Sequence, residues 1–261
     1  MLKEFGFGVS NVTETRILRQ VELFNKEILK FNGRPFNPRL LTLYSTFNVV
    51  STILFGETFT TSDTNNRISE SVPELARNVD YTIDIAPFLR YVPKFRKKIS
   101  RLVQCHEAII NGIEEGIESS KLIECESTFV RRFIEIQGPD YDRQDLLYTI
   151  RDLCFASSDT VSVTLQWAMV ELANNTEVQS RVQWEIDDVV SKDRLPSLND
   201  KPRLPYTEAV ILEVMRRHTV VPLYIPHATL NDTEVLGYHV PKGSMVINVL
   251  RIALTLVAGG E

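Results

Sequence analysis

The hydrophobic pattern of this chain is mostly helical, and one long segment stands out. From Tyr141 to Thr176 the sequence contains no proline and no glycine, and apolar residues fill both of its ends. This pattern predicts a helix of roughly 30 residues, about 45 Å long at the usual rise per residue. We expect a helix this apolar to be buried. Shorter helices are predicted at residues 11–31 and 40–55, with a turn between them.

Short polar side chains interrupt the middle of the long helix. They are Ser157, Ser158, Asp159, Thr160, Ser162 and Thr164. Such residues compete with the backbone for hydrogen bonds, and inside a buried helix they need partners. Two interpretations are open. In the first, the hydroxyls bond to carbonyls of the preceding turn and Asp159 meets a cation or a helix end. In the second, the acid and an alcohol lie beside a cavity and pass protons to a bound molecule.

A second helix is predicted to start at Pro205, which suits a first helical turn, and to end near His218. Glu213 and Arg216 are three residues apart on it, so they share a face and can pair. On a surface helix such a pair contributes little, so the spacing alone does not define its role. Before this helix, Thr176 and Gln179 have the spacing of a capping box.

Extended structure is predicted after this second helix. The run 220–227 contains Pro222 and Pro226 and cannot continue a helix. Residues 232–247 have the pattern of a hairpin, with turn signals at Gly237 and at 241–243.

The order of these elements resembles the cytochrome P450 family. The long central helix of that family carries the pattern A-G-x-D-T, which residues 156–160 match with a serine in place of the glycine. Glu213 and Arg216 match the family's GluxxArg pair. Residues 84–93, 165–167, 194–209 and 225–229 are similar to the animal microsomal branch that oxidises aromatic hydrocarbons and steroids. The resemblance covers nearly all of residues 5–248.

The resemblance implies both a fold and an activity. The expected fold is mainly α, a partial cytochrome P450 domain over 1–249 with a long central helix and a small β-sheet region near the C-terminus. A divergent tail follows at 250–261. The implied activity is a haem-thiolate monooxygenase, with heme b iron as its cofactor, that inserts one atom of O2 into a steroid, a fatty acid or an aromatic xenobiotic. Its electrons come from NADPH through NADPH-cytochrome P450 reductase.

The resemblance also implies a role for each candidate site residue. Asp159 and Thr160 are expected to be catalytic and to manage protons, and Ala156 and His227 to contact the cofactor. Glu213 and Arg216 are expected to form a buried structural pair, in which the loss of one partner leaves an uncompensated charge. The expected substrate-pocket residues are Phe155, Val221 and Leu223. For His227 the alternative is an ordinary polar residue at the entrance of a strand.

The cysteines do not fit the family pattern. The family holds its iron with a thiolate in F-x-x-G-x-R-x-C-x-G, and Cys105, Cys125 and Cys154 lack these neighbours. We therefore expect reduced, apolar cysteines and no metal ligand in this chain. The family's membrane anchor has no counterpart here, so we expect a truncated or misjoined gene model, with a short isoform as the alternative. An active monooxygenase, an inactive fragment and a helical interaction module all remain open.

The charge of the chain limits the classes of molecule that it is expected to bind. The net charge of -5 argues against nucleic-acid binding, which favours a basic face. A basic cluster includes Arg90, Lys94, Arg96, Lys97 and Lys98. It is either a solvated face or a surface that attracts anionic lipid headgroups. By the resemblance, the expected location of the full-length protein is the cytoplasmic face of the endoplasmic reticulum membrane.

Overall fold

The computed structural model describes residues 11–56, 63–78, 83, 86–122, 128–138 and 141–249. It divides into two compact units, Met1–Gln166 and Trp167–Glu261. The predicted tail at 250–261, Cys125 and part of the segment 84–93 lie outside the described residues.

The first unit is helical. Its helices are α1 (Asn11–Leu29), α2 (Arg39–Leu54), α3 (Asp63–Asn78), α4 (Pro93–Leu122), α5 (Phe129–Gln137) and α6 (Arg143–Asn174), which continues into the second unit. A short 3-10 helix, Pro87–Tyr91, precedes α4. The predicted helices at 11–31 and 40–55 are confirmed as α1 and α2. The predicted long helix is confirmed as α6, which has 32 residues.

Large apolar side chains from α2 to α6 form the core of this unit. Phe47, Phe55, Ile68, Ile113 and Ile150 are all fully buried in one cluster. The helices α3 and α4 pack closely, and Gly112 of α4 lies against Ile68 of α3. At Gly116 the helix meets the Phe55 ring, and an added Cβ would lie 2.8 Å from two ring carbons. These two glycines make the close contact of α4 possible.

The second unit contains α7 (Thr176–Val190), a 3-10 helix (Leu198–Arg203), α8 (Pro205–Arg217) and four short strands. The strand β1 (His227–Ala228) pairs antiparallel with β4 (Met245–Val246), and β2 (Thr233–Val235) pairs antiparallel with β3 (Tyr238–Val240). Leu236 and Gly237 both have positive φ between β2 and β3, as a tight hairpin turn requires. The predicted hairpin is therefore confirmed, and so is the mainly helical fold with a small β region near its C-terminal end.

The predicted capping box at Thr176 is wrong. The residue at the N-cap of α7 is Asn175, which makes no side-chain cap hydrogen bond. The side-chain amide of Asn175 instead donates to the Glu171 backbone carbonyl at 2.8 Å. The capping box of this unit is at Ser197 and Asp200, at the start of the 3-10 helix.

The carboxylate of Asp200 holds the loop before α8 together. Its side chain is 3% exposed, and it accepts hydrogen bonds from both Arg194 and Arg203 and from the Ser197 amide. Glu185 of α7 then accepts hydrogen bonds from the Tyr206 and Thr207 amides in the first turn of α8. These contacts fix the start of the helix that carries Glu213 and Arg216.

Candidate functional site

Four of the five hydroxyls in the middle of α6 bond to its own backbone. The pairs are Ser157 to the Leu153 carbonyl at 2.5 Å, Ser158 to Cys154 at 2.9 Å, Thr160 to Ala156 at 2.9 Å and Thr164 to Thr160 at 2.8 Å. For these hydroxyls, the first of the two interpretations given above is therefore the observed one: they bond to carbonyls of the preceding turn. This arrangement satisfies their donors inside the helix and leaves the oxygen lone pairs available to other groups.

The middle of α6 has a closed face and an open face. Ile150, Cys154, Ser158 and Ser162 recur every four residues and are buried. Thr160 is two residues from both Ser158 and Ser162, which places it on nearly the opposite side, since each residue turns the helix by about 100°. On that open side Ala156 is exposed and Thr160 is partly exposed. The expectation of a buried helix is thus wrong for one side of α6 among the described residues.

Asp159 lies at the border between these two faces and is half-buried. Burial raises the pKa of its carboxyl above the usual value, while the positive charge of Arg39 on α2 acts in the opposite direction. The acid therefore keeps its proton to a higher pH than an exposed aspartate does. An acid with a raised pKa beside an accessible hydroxyl is suited to proton transfer.

Glu213 and Arg216 pair as predicted, and the role of the pair in the structural core stays a prediction. The guanidinium donates to both carboxylate oxygens at 2.6 Å. The hydrogen bonds to Arg216 lower the pKa of Glu213 below its usual value. However, the Glu213 side chain is 53% exposed and that of Arg216 is 29% exposed. In the described structure water therefore screens the pair, and the loss of one partner leaves an accessible charge rather than a buried one.

The other predicted site residues are exposed. Phe155 and Ala156 are on α6 in the first unit, whereas Val221, Leu223 and His227 are in the second unit. His227 begins β1, opposite Val246, and its ring stacks on Tyr224 with centroids 6.0 Å apart. It has the strand-entrance position of the simpler interpretation, and its role toward a cofactor remains a prediction. The pocket role of Phe155, Val221 and Leu223 likewise remains a prediction.

One cluster of the second unit was not predicted. His218, at the C-terminal end of α8, stacks on Trp167 with ring centroids 3.9 Å apart, and its Nε2 lies 2.5 Å from a carboxylate oxygen of Glu171. The hydrogen bond to His218 is the main cause that lowers the pKa of Glu171. The sequence indicated only that His218 ends a helix, because its partners are about 50 positions away in the chain. The cluster ties α8 to the last turns of α6.

The described cysteines lie in surroundings unlike those of an iron-ligating thiolate. Cys154 is fully buried in the apolar core, and burial raises the pKa of its thiol to about 12. Burial also raises the pKa of the Cys105 thiol. A ligating cysteine is a thiolate in an electropositive site, the opposite of these surroundings. Within the described ranges, no group of three or more His, Cys, Asp or Glu side chains could hold a metal ion.

Comparisons with known proteins define the family. A family model described as "Cytochrome P450" matches residues 1–253. Rat cytochrome P450 2U1 (Rattus norvegicus) is 31% identical over 262 residues, which cover 94% of this chain and 49% of the rat protein. Human cytochrome P450 2F1 (Homo sapiens) is 32% identical over 263 residues, covering 96% of this chain and 53% of the human protein. The chain therefore belongs to the cytochrome P450 family.

The fold comparison agrees with this assignment. A solved structure titled "Zebra fish cytochrome P450 another structure with Progesterone" matches with a TM-score of 0.83 at 23% identity. The match covers 98% of this chain and 61% of that chain. The predicted cytochrome P450 fold is thus confirmed. The chain spans about half the length of the curated relatives it matches. Among the helices that the structure describes, none has the length and apolar character needed to cross a bilayer.

Proposed function

We propose that this chain is part of a haem-thiolate monooxygenase that inserts one atom of O2 into an apolar substrate. The observation that carries the proposal is the pair formed by Asp159 and Thr160 on α6. The acid has a raised pKa, and the alcohol is on the open face of the same helix turn. Membership of the cytochrome P450 family supports this proposal.

The chain's own contribution to the reaction is the handling of protons. Bound haem supplies the reductive activation of dioxygen, with electrons from NADPH through NADPH-cytochrome P450 reductase. The Thr160 hydroxyl donates to the Ala156 carbonyl at 2.9 Å, and its oxygen retains lone pairs that can accept a proton while it releases its own. The raised pKa of the neighbouring Asp159 supports a role in which this acid replaces the proton that Thr160 gives.

Exposed apolar side chains of α6 indicate the kind of substrate. Phe155, Val161 and Leu165 are large apolar side chains of this helix that are 41–49% exposed. Side chains of this kind line pockets for hydrophobic ligands. We assign Phe155 to contact with a hydrophobic small molecule. The family resemblance gives Val221 and Leu223 the same role. Steroids, fatty acids and aromatic compounds all meet this requirement.

The remaining roles follow from the family in the same way. Ala156 and His227 are assigned to contact with the haem, and Glu213 with Arg216 to the structure of the α8 region. The cytoplasmic face of the endoplasmic reticulum membrane is the proposed location of the full-length protein.

One observation favours a second candidate for the 261 residues taken alone. Neither described cysteine fits a thiolate ligand, since burial raises the pKa of both thiols. The second candidate is a catalytically inactive fragment, in which neither Cys105 nor Cys154 ligates haem iron.

The Thr160→Ala variant tests the proposed function. In the protein encoded by the longest transcript that contains this sequence, reconstituted with reductase, we expect Thr160→Ala to lower product formed per NADPH by on the order of tenfold. Peroxide release should rise in parallel. The matched control is Thr164→Ala, which removes a hydroxyl that bonds back to α6 one turn later, at 2.8 Å. Equal coupling in the Thr160→Ala and wild-type proteins would remove Thr160 from the proposed role.

A further inference from the structure

Hydroxyl contacts, buried except at Thr46, join α2 to the closed face of α6. Thr42 Oγ1 lies 2.9 Å from Ser162 Oγ, and Thr46 Oγ1 lies 3.2 Å from the Ser158 carbonyl oxygen. The two threonines are one turn apart on α2, and the two serines are one turn apart on α6. The contacts therefore form two successive rungs, which we call the α2–α6 ladder.

Gln166 closes the first rung. Its side-chain amide donates to Thr42 Oγ1 at 3.0 Å and to Ser162 Oγ at 3.0 Å. Together with the contact between Thr42 and Ser162, these two bonds join the three side chains pairwise in a triangle. Thr42 and Ser162 are at most 1% exposed, and Gln166 is partly buried. We include Gln166 in the α2–α6 ladder.

The polar contacts of the α2–α6 ladder lie beside the apolar core. Apolar contacts are non-directional, so they would tolerate a small rotation or slide of α6 against α2. Hydrogen bonds have narrow ranges of distance and angle. The Thr42 and Thr46 hydroxyls also lie 2.9–3.0 Å from carbonyl oxygens of α2, so both keep a partner if a rung is lost. The α2–α6 ladder therefore favours one rotation and one register of α6 through the direction of its contacts.

The ladder encloses the turn that carries the candidate acid and alcohol. Its two rungs are at Ser158 and Ser162, and Asp159 and Thr160 lie between them. Fixing both rungs on the closed face fixes where Thr160 projects on the open face, because the helix is rigid over one turn. The charge of Arg39, three residues before Thr42 on α2, also acts on Asp159.

We propose that Thr42 and Thr46 are positioning residues for Asp159 and Thr160. Through the α2–α6 ladder they set the rotation and register of α6, and so the place of the acid and the alcohol on its open face. The inference rests on the proposed function of that pair. The position of the pair, however, is measurable without turnover.

The test uses the 261-residue chain and the titration of Asp159, followed by ¹³C NMR of labelled aspartate carboxylates. Asp159→Asn assigns the signal. In a Thr42→Val, Thr46→Val double variant, which keeps side-chain volume, we expect the Asp159 midpoint to fall by about half a pH unit or more as the released carboxyl gains water. Thr42→Ser, which keeps the hydroxyl, should leave the midpoint unchanged.

The matched control is Thr52→Val on the same helix. Thr52 is buried, and its hydroxyl donates to the Asn48 carbonyl of α2 at 2.8 Å. This variant should leave the Asp159 midpoint unchanged. If the double variant does not fold, Thr46→Val alone is used, since Thr46 is only partly buried. A lower melting temperature with an unchanged Asp159 midpoint would overturn the positioning role. Failure of the proposed function would show separately, as unchanged coupling in Thr160→Ala.

Discussion

At the scale of single residues, the candidate acid differs from an ordinary exposed aspartate. Asp159 is half-buried next to hydroxyls that already bond to the helix backbone. Its raised pKa shows that the folded chain holds the charged carboxylate in an unfavourable place. Sites that transfer protons often contain acids with shifted pKa values. Such acids reduce the stability of the fold.

This placement predicts how stability depends on pH. Because the pKa of Asp159 is raised on folding, the folded chain binds more protons than the unfolded chain above the ordinary aspartate pKa. Stability is therefore lost as pH rises through the raised pKa. Asp159→Asn removes this loss, and we expect its melting temperature at neutral pH to exceed that of the wild type by on the order of 2 °C.

Thermal unfolding followed by circular dichroism at several pH values measures this effect. The gain should shrink below about pH 4, where Asp159 is protonated in both states. Asp152→Asn, on an exposed part of the same helix, is the control and should show no such gain. A lower melting temperature for Asp159→Asn at neutral pH would contradict the account of Asp159.

At the scale of elements, the contact of α4 with Phe55 depends on a glycine. A Cβ at Gly116 would lie 2.8 Å from ring carbons of Phe55, which is fully buried and cannot move aside. In an open helix Gly→Ala gains about 1 kcal/mol, whereas overpacking costs about 1–3 kcal/mol. We expect Gly116→Ala to lower the free energy of unfolding by about 1 kcal/mol net.

Chemical denaturation of the Gly116→Ala chain measures this loss. In a Phe55→Leu background the smaller side chain leaves room, so Gly116→Ala should cost less there than in the wild type. A gain in stability from Gly116→Ala would show that helix propensity outweighs the predicted clash.

The 3-10 helix Leu198–Arg203 and the residues just before it depend on Asp200. Hydrogen bonds from Arg194 are the first cause that lowers the pKa of Asp200 well below its usual range. A lowered pKa contributes stability that is present above the ordinary aspartate pKa and is lost only as pH falls toward the folded value. We expect Asp200→Asn to speed hydrogen exchange of the Ser197 and Leu204 amides by roughly tenfold.

Hydrogen exchange with mass spectrometry measures this change in residues 194–204. In the wild type the protection should persist through mildly acidic pH. Asp193→Asn, an exposed neighbour, is the control. Equal protection in Asp200→Asn and the wild type would contradict the role of Asp200 in holding the loop.

At the scale of the whole molecule, local features were predictable and distant contacts were not. The length of α6, the hairpin turn at Gly237 and the pairing of Glu213 with Arg216 each depend on residues close in the sequence. The ladder from Thr42 to Ser162 joins residues 120 positions apart, and a serine pattern on one helix does not indicate a threonine partner on another. The solvent exposure of Glu213 and Arg216 could not be predicted either, because their spacing fits a surface pair as well as a buried one.

The central claim is that this chain is part of a haem-thiolate monooxygenase. The direct measurement is the absorption spectrum of the reduced protein under carbon monoxide, using the product of the longest transcript that contains this sequence. The account predicts the red-shifted Soret band typical of thiolate-ligated haem. A spectrum without that band, from a folded protein supplied with haem, would contradict the proposed function.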